Sequence, residues 1–208
     1  LFHEFGHALF GLLSRRPYEN LSLPRDGIEL PSQVMENWAM HPDVLRSYAR
    51  HYQTDAPIPE DLIRKIEKSG TFNQGFATVE YLAASILDLD WHTLTDTTSV
   101  NATAFENATF QRLGLIPEVL PRYRSPYFAH IFTSGYSAGY YSYIWAEVLD
   151  ADAFEAFKER GLFDKKTADA FRKNILEQGG TADPMALYER FRGKKPDTTP
   201  LLRKRGLQ

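Results

Sequence analysis

His3 and His7 stand four residues apart, and Glu4 follows the first of them. On a helix, residues at i and i+4 share one face, one turn apart. Two imidazoles placed this way reach a single Zn²⁺ at about 2.0–2.1 Å. The run His3-Glu4-Phe5-Gly6-His7 is an H-E-x-x-H pattern. In that pattern the Glu lies beside the metal without ligating it and acts as base toward the attacking water. The competing reading is a surface helix with two solvated histidines. It fits poorly with Phe2, Phe5, Ala8, Leu9 and Phe10, which make the segment too apolar for an exposed helix.

A catalytic zinc takes three protein ligands and keeps one open position. Leu13 stands where the longer pattern H-E-x-x-H-x-x-G-x-x-H wants a third His, so a downstream carboxylate is the natural ligand. Asp26, Glu29 and Glu36 are the local candidates, and spacing alone does not choose among them. A second constellation lies far downstream. Tyr136, Tyr140 and Tyr143 fall at i, i+4 and i+7, which on a helix puts three phenols on one face, with Gly135 and Gly139 beside them. Read without further information, that face is an aromatic core stripe.

The elements that must carry these residues are mostly helical. Helix-like segments run over 1–14, 32–53 (interrupted or kinked near His41-Pro42), 59–69, 71–94, 101–113, 137–157, 165–178 and 184–192. In 71–94, Phe72, Phe76, Val79, Ala83, Ile86 and Asp90 recur at helical steps, marking a partly buried helix. The stretches 15–31 and 117–125 are broken by prolines and read as loops, the first with room for a short strand. Pro184 just inside a helix start, after Asp183, makes a good opening. Few segments alternate with period two, so the class is mainly α, and nothing marks a boundary within the chain.

The 208 residues carry 24 Lys and Arg against 27 Asp and Glu, a net charge of −3. That balance argues against nucleic acid as a partner, since phosphate binding needs a basic surplus. No apolar run approaches the roughly 18 residues that a bilayer span needs. The absence of Cys excludes disulfides, thiolate metal sites and a cysteine nucleophile. Asn20, Asn101 and Asn107 head N-x-S/T triplets, a pattern that arises often by chance. The chain opens at Leu1-Phe2-His3-Glu4, with no Met and inside an apolar helix, as expected of the C-terminal part of a longer protein.

The residues together resemble the thimet oligopeptidase family of zinc metallopeptidases, nearest its bacterial peptidyl-dipeptidase branch. The resemblance rests on 1–9 (LFHEFGHAL), 24–33 (PRDGIELPSQ), Glu36-Asn37-Trp38, His41-Pro42, 121–125 (PRYRS), 127–132 (YFAHIF), 135–145 (GYSAGYYSYIW), Phe191-Arg192-Gly193-Lys194 and 202–207, essentially the whole chain. It departs from the branch at Phe10, at Thr133-Ser134 and in a shorter stretch before Pro24.

The resemblance implies a multi-helix zincin-type (gluzincin) catalytic domain, residues 1–208 forming the metal-binding half of a channel-shaped peptidase. It implies one Zn²⁺ per chain held by His3, His7 and Glu29, with Glu4 as general base. Asp26 would orient a ligating His. His130 and Tyr143 become donors to the oxyanion, Tyr136 assists, and Tyr140 contacts substrate. The implied activity is hydrolysis of short peptides with release of C-terminal dipeptides. Alternatives are an oligopeptidase cutting internally, and an inactive fragment that at most binds peptides. Short peptides are the expected partners, without nucleic acid or membrane. A monomeric full-length enzyme in the cytoplasm is the expectation, with the periplasm an open alternative.

Overall fold

The computed structural model describes residues 1–18, 21 and 23–208, so Asn20 lies outside the described residues. These are mainly α-helical. The only β pairing among them is an isolated bridge between Arg50 and Pro57.

The chain divides into two units, Leu1–Phe72 with Ile144–Gln208, and Asn73–Tyr143. The sequence gives no sign of this division because neither boundary is a linker. The first falls at Asn73, whose φ of 57° turns the chain into a helix. The second lies within a continuous helix.

The first unit holds α1 (Phe2–Leu13), α2 (Arg25–Ile28), α3 (Leu30–Ala39), α4 (Pro42–Tyr48) and α5 (Glu60–Ser69). Of the interruption or kink expected near His41-Pro42, the structure shows the interruption, with two helices. Pro42 lacks an N–H and pushes His41 to an extended conformation, φ −67° and ψ 133°, so α3 stops and α4 starts anew. His41 then caps α4, its Nδ1 accepting from the Asp43 N–H at 3.3 Å. The expected loop over 15–31 contains one helical turn, α2.

Most of α9 (Ser142–Arg160), then α10 (Lys165–Phe171), α11 (Pro184–Arg192) and α12 (Thr199–Lys204) complete this unit. Asp183 caps α11 by accepting from the N–H groups of Met185 and Ala186 at 2.9 and 3.2 Å. The expected helix over 165–178 changes character part-way, because Arg172–Leu176 is a π-helical turn. Just beyond it, the Glu177 carbonyl accepts from the Arg15 N–H at 3.0 Å, fastening the segment that leaves α1.

The core of the first unit is built by Leu30 and Val34 of α3, Leu149, Ala153 and Phe157 of α9, Phe171 and Ile175, and Leu187 and Phe191 of α11. Helix α1 lays Leu9, Phe10 and Leu13 against it. Its opposite face carries Phe5 and Leu12 in the open, so its apolar composition does not mean that it is buried all round.

The second unit holds α6 (Gln74–His92), α7 (Ala102–Arg112), a 3₁₀ turn at Ser125–Tyr127, α8 (Ala129–Phe132) and the segment leading into α9. Phe76 and Val79 of the expected apolar stripe are exposed. The buried positions of α6 include Tyr81, Ala84, Leu87 and the acid Asp88. Asn101 caps α7, its side chain accepting from the Ala104 N–H at 2.9 Å. The buried Glu106 takes hydrogen bonds from the Ser125 N–H and hydroxyl at 2.7 and 2.9 Å, and so fixes the end of the proline-broken loop.

Candidate metal centre

Helix α1 presents His3 and His7 toward the start of α3. Their approach depends on Gly6, the one fully buried residue of α1. A Cβ there would lie 2.5 Å from the Pro31 carbonyl oxygen and 2.5 Å from the Ser32 Cα. Only a residue without a side chain lets the two backbones pass so closely.

Glu29 stands at the junction of α2 and α3, as C-cap of one and N-cap of the other. It is 2% exposed. Its Oε2 lies 3.4 Å from His3 Nε2 and 3.3 Å from His7 Nε2. The Ser32 hydroxyl donates to the same Oε2 at 3.0 Å and holds the carboxylate in place. His3, His7 and Glu29 form the one group of metal-capable side chains among the described residues, each offering an atom within 4.8 Å of the others.

These spacings fit a tetrahedral ion. Ligand atoms about 2.0–2.1 Å from such an ion lie roughly 3.3–3.4 Å from one another. Both carboxylate–imidazole distances match that edge length. The donor set, two imidazoles and a carboxylate, is one that zinc takes in open catalytic sites.

Of the three carboxylates that spacing leaves open, the structure brings Glu29 to the histidines. Glu36 meets His3 on its other nitrogen, with Nδ1 2.5 Å from Oε1. A carboxylate accepts only, so this contact makes Nδ1 the N–H and leaves the Nε2 lone pair toward Glu29. Asp26 is not among the residues of the metal group and lines a hollow with Pro24, Asp183 and Tyr188. Glu4 is exposed on α1 beside His3. The sequence offers Glu36 as a candidate ligand and does not mark it as the partner of His3 Nδ1, nor Gly6 as the point where α1 crosses the start of α3.

A family model, peptidase family M3, matches residues 1–207. The chain belongs to peptidase family M3. Among the relatives of this M3 chain are dipeptidyl carboxypeptidase of Escherichia coli, 43% identical over 212 residues, and oligopeptidase A of the same organism, 37% identical over 213. A probable cytosolic oligopeptidase A of Arabidopsis thaliana is 42% identical over 220 residues. Each alignment covers the whole of this chain and 31% of the relative. The family agrees with the one expected from the motifs.

The second unit carries the other predicted residues of the M3 chain. The premise of a single helical face fails, because α9 begins at Ser142 and leaves Tyr136 and Tyr140 in the turns before it. The phenols nevertheless gather by ring packing. Tyr136 stacks on Tyr143 with centroids 5.1 Å apart, and Tyr140 meets Tyr143 edge-on at 5.4 Å. His130 lies 6.3 Å from the Tyr136 ring and 5.7 Å from that of Tyr140.

Tyr140 is 2% exposed, packed among Tyr81, Tyr123 and Phe128. Burial pushes its phenol well above the usual tyrosine range. That is the environment of a core aromatic. No described helix is long and apolar enough to cross a membrane.

Proposed function

We propose that this chain is the metal-holding part of a zinc peptidase that hydrolyses short peptides and releases C-terminal dipeptides. The observation that carries the reading is the buried Glu29 oxygen set between the Nε2 atoms of His3 and His7 at 3.4 and 3.3 Å. The likeness to dipeptidyl carboxypeptidase favours dipeptide release over internal cleavage. Cytoplasm is the proposed compartment and a monomer the proposed state.

His3, His7 and Glu29 would hold one Zn²⁺. Bound zinc supplies Lewis-acid polarisation of a carbonyl and a water of lowered pKa. Glu4 takes the proton of the attacking water and returns it to the leaving amine. His130 and Tyr143 are proposed as donors to the oxyanion, with Tyr136 assisting.

The test compares Glu4→Gln with His3→Ala, His7→Ala and Glu29→Ala in the full polypeptide that carries this chain. Zinc content and turnover are measured on peptides with free and amidated C-termini. Glu4→Gln keeps zinc and loses turnover, and the other three lose zinc. Full zinc affinity in Glu29→Ala would remove Glu29 from the ligand set. Equal cleavage of the amidated peptides would replace dipeptide release by internal cutting.

A further inference from the structure

The turn between α8 and α9 carries Tyr136 and leads into Tyr143. Its shape is set from below by one buried side chain. The N–H groups of Ala138 and Tyr140 converge on Asp88 of α6, the first donating to Oδ1 and the second to Oδ2, each at 2.9 Å. Two turns earlier on α6, the Tyr81 hydroxyl donates to the Tyr140 carbonyl. Ala138 has φ +53°, a left-handed conformation that a residue with a Cβ keeps only where its surroundings fix it.

Asp88 is wholly buried, and among the described residues no Lys or Arg forms an ion pair with it. Its third partner is His92, whose Nδ1 lies 2.8 Å from Asp88 Oδ1 and 2.8 Å from the Asp88 carbonyl oxygen. Both of those atoms accept, so Nδ1 carries a proton there. A carboxylate is expensive to bury, and packing alone would be served better by an apolar residue. What a carboxylate supplies here is two acceptor oxygens for two convergent backbone N–H groups, which neither a Leu nor an Asn supplies.

We propose that Asp88 is the positioning residue of the tyrosine turn. By gripping Ala138 and Tyr140 it fixes the backbone between Tyr136 and Tyr143, and with it the stacked pair that places the Tyr143 hydroxyl. The catalytic half of this inference rests on the reading of Tyr143 as an oxyanion donor.

Two measurements on the zinc-loaded full polypeptide separate the grip from that reading. Hydrogen exchange at the Ala138 and Tyr140 amides reports the grip alone. Asp88→Asn turns an NH₂ toward one of these donors and speeds their exchange by about tenfold or more, while the mid-α6 amides stay as in the parent. Tyr81→Phe, which removes only a hydroxyl, is the milder variant and speeds exchange in the same turn. Unchanged exchange in both variants overturns the grip.

Rates report the link to Tyr143. Asp88→Asn lowers kcat by about tenfold or more with KM nearly unchanged, and has little effect once Tyr143 is Phe. Equal losses in the two backgrounds overturn the positioning role. A Tyr143→Phe variant with parental kcat would instead remove the oxyanion reading and the catalytic half with it, while faster exchange in Asp88→Asn would keep the grip.

Discussion

Gly6 and Ser32 pass so closely that a Cβ on the first would lie 2.5 Å from the Cα of the second. The obstacle is backbone, which cannot swing aside as the tip of a side chain can. Gly6→Ala must therefore push α1 away from the start of α3, and Glu29 away from the two histidines. Overpacking of this kind costs about 1–3 kcal/mol. The expected outcome is a lower melting temperature together with weakened zinc binding, measured by chelator competition. Parental zinc affinity in Gly6→Ala would show that the crossing does not set the ligand geometry. Gly11 has open space around its Cβ position, so Gly11→Ala is the matched control and leaves zinc binding intact.

Glu36 holds the Nδ1 side of His3 and so fixes which nitrogen faces Glu29. Loss of such a partner typically costs about 10–100-fold in metal affinity. Glu36→Ala is expected to weaken zinc within that range, and Glu36→Gln, which keeps an acceptor oxygen, to weaken it less. Equal affinity in all three proteins would mean that the imidazole is oriented without Glu36.

Tyr143 and Tyr140 are expected to respond differently to substitution. If the Tyr143 hydroxyl donates to the oxyanion, Tyr143→Phe lowers kcat by about 10²–10³ with little change in KM. Tyr140 is a buried ring, so Tyr140→Phe leaves kcat near the parent value. Tyr140→Ala is expected to lose about 3–5 kcal/mol of stability in urea unfolding, as for other large core aromatics. Tyr141→Phe serves as control for the first variant. Matching kcat in Tyr143→Phe and Tyr141→Phe would make the whole tyrosine group structural.

Asp150 of α9 gives the first unit a pH dependence. Burial pushes its carboxyl up to about 6, against the opposing pull of Lys204, 3.2 Å away, and of the Asn37 amide, 2.9 Å away, with Glu147 adding to the rise. An unfolded Asp titrates near 3.9. Between these values the folded chain holds a proton that the unfolded chain has released, so stability falls as pH rises through that window. The loss sums to about 2–3 kcal/mol at neutral pH. Asp150→Asn does not titrate. Its stability relative to the parent should therefore climb by that amount from pH 4 to pH 7 in urea titrations. A constant difference between the two proteins would mean that Asp150 titrates normally.

Much of the first unit was legible in the sequence. The His3–His7 spacing, the capped start of α11 and the breakers around Pro24 all act locally, through periodicity or through φ, and periodicity and φ are properties of short stretches. What the sequence concealed depends on contacts between distant segments. Glu29 could not be chosen over Asp26 and Glu36 by spacing, because its claim rests on a helix crossing that Gly6 permits. The buried face of α6 was misread because Asp88 occupies a core position, and a hydrophobic pattern has no place for a buried acid. Tyr136 and Tyr140 keep helical spacing to Tyr143 while lying before the helix that holds it, since ring stacking and not helical geometry brings Tyr136 to Tyr143.

The π turn at Arg172–Leu176 places one residue more in its turn than an α-helix would. Rewinding the same residues as α-helix, with none removed, would rotate everything after them by roughly 100°. Glu177 would then no longer face Arg15, whose N–H its carbonyl receives. The exit of α1 is thus registered against the angular phase of a helix more than 150 positions later in the chain. Substitutions within 172–176 that keep the apolar positions should be tolerated, whereas a further single-residue insertion there should turn Glu177 away and detach the end of α1 without touching His3, His7 or Glu29.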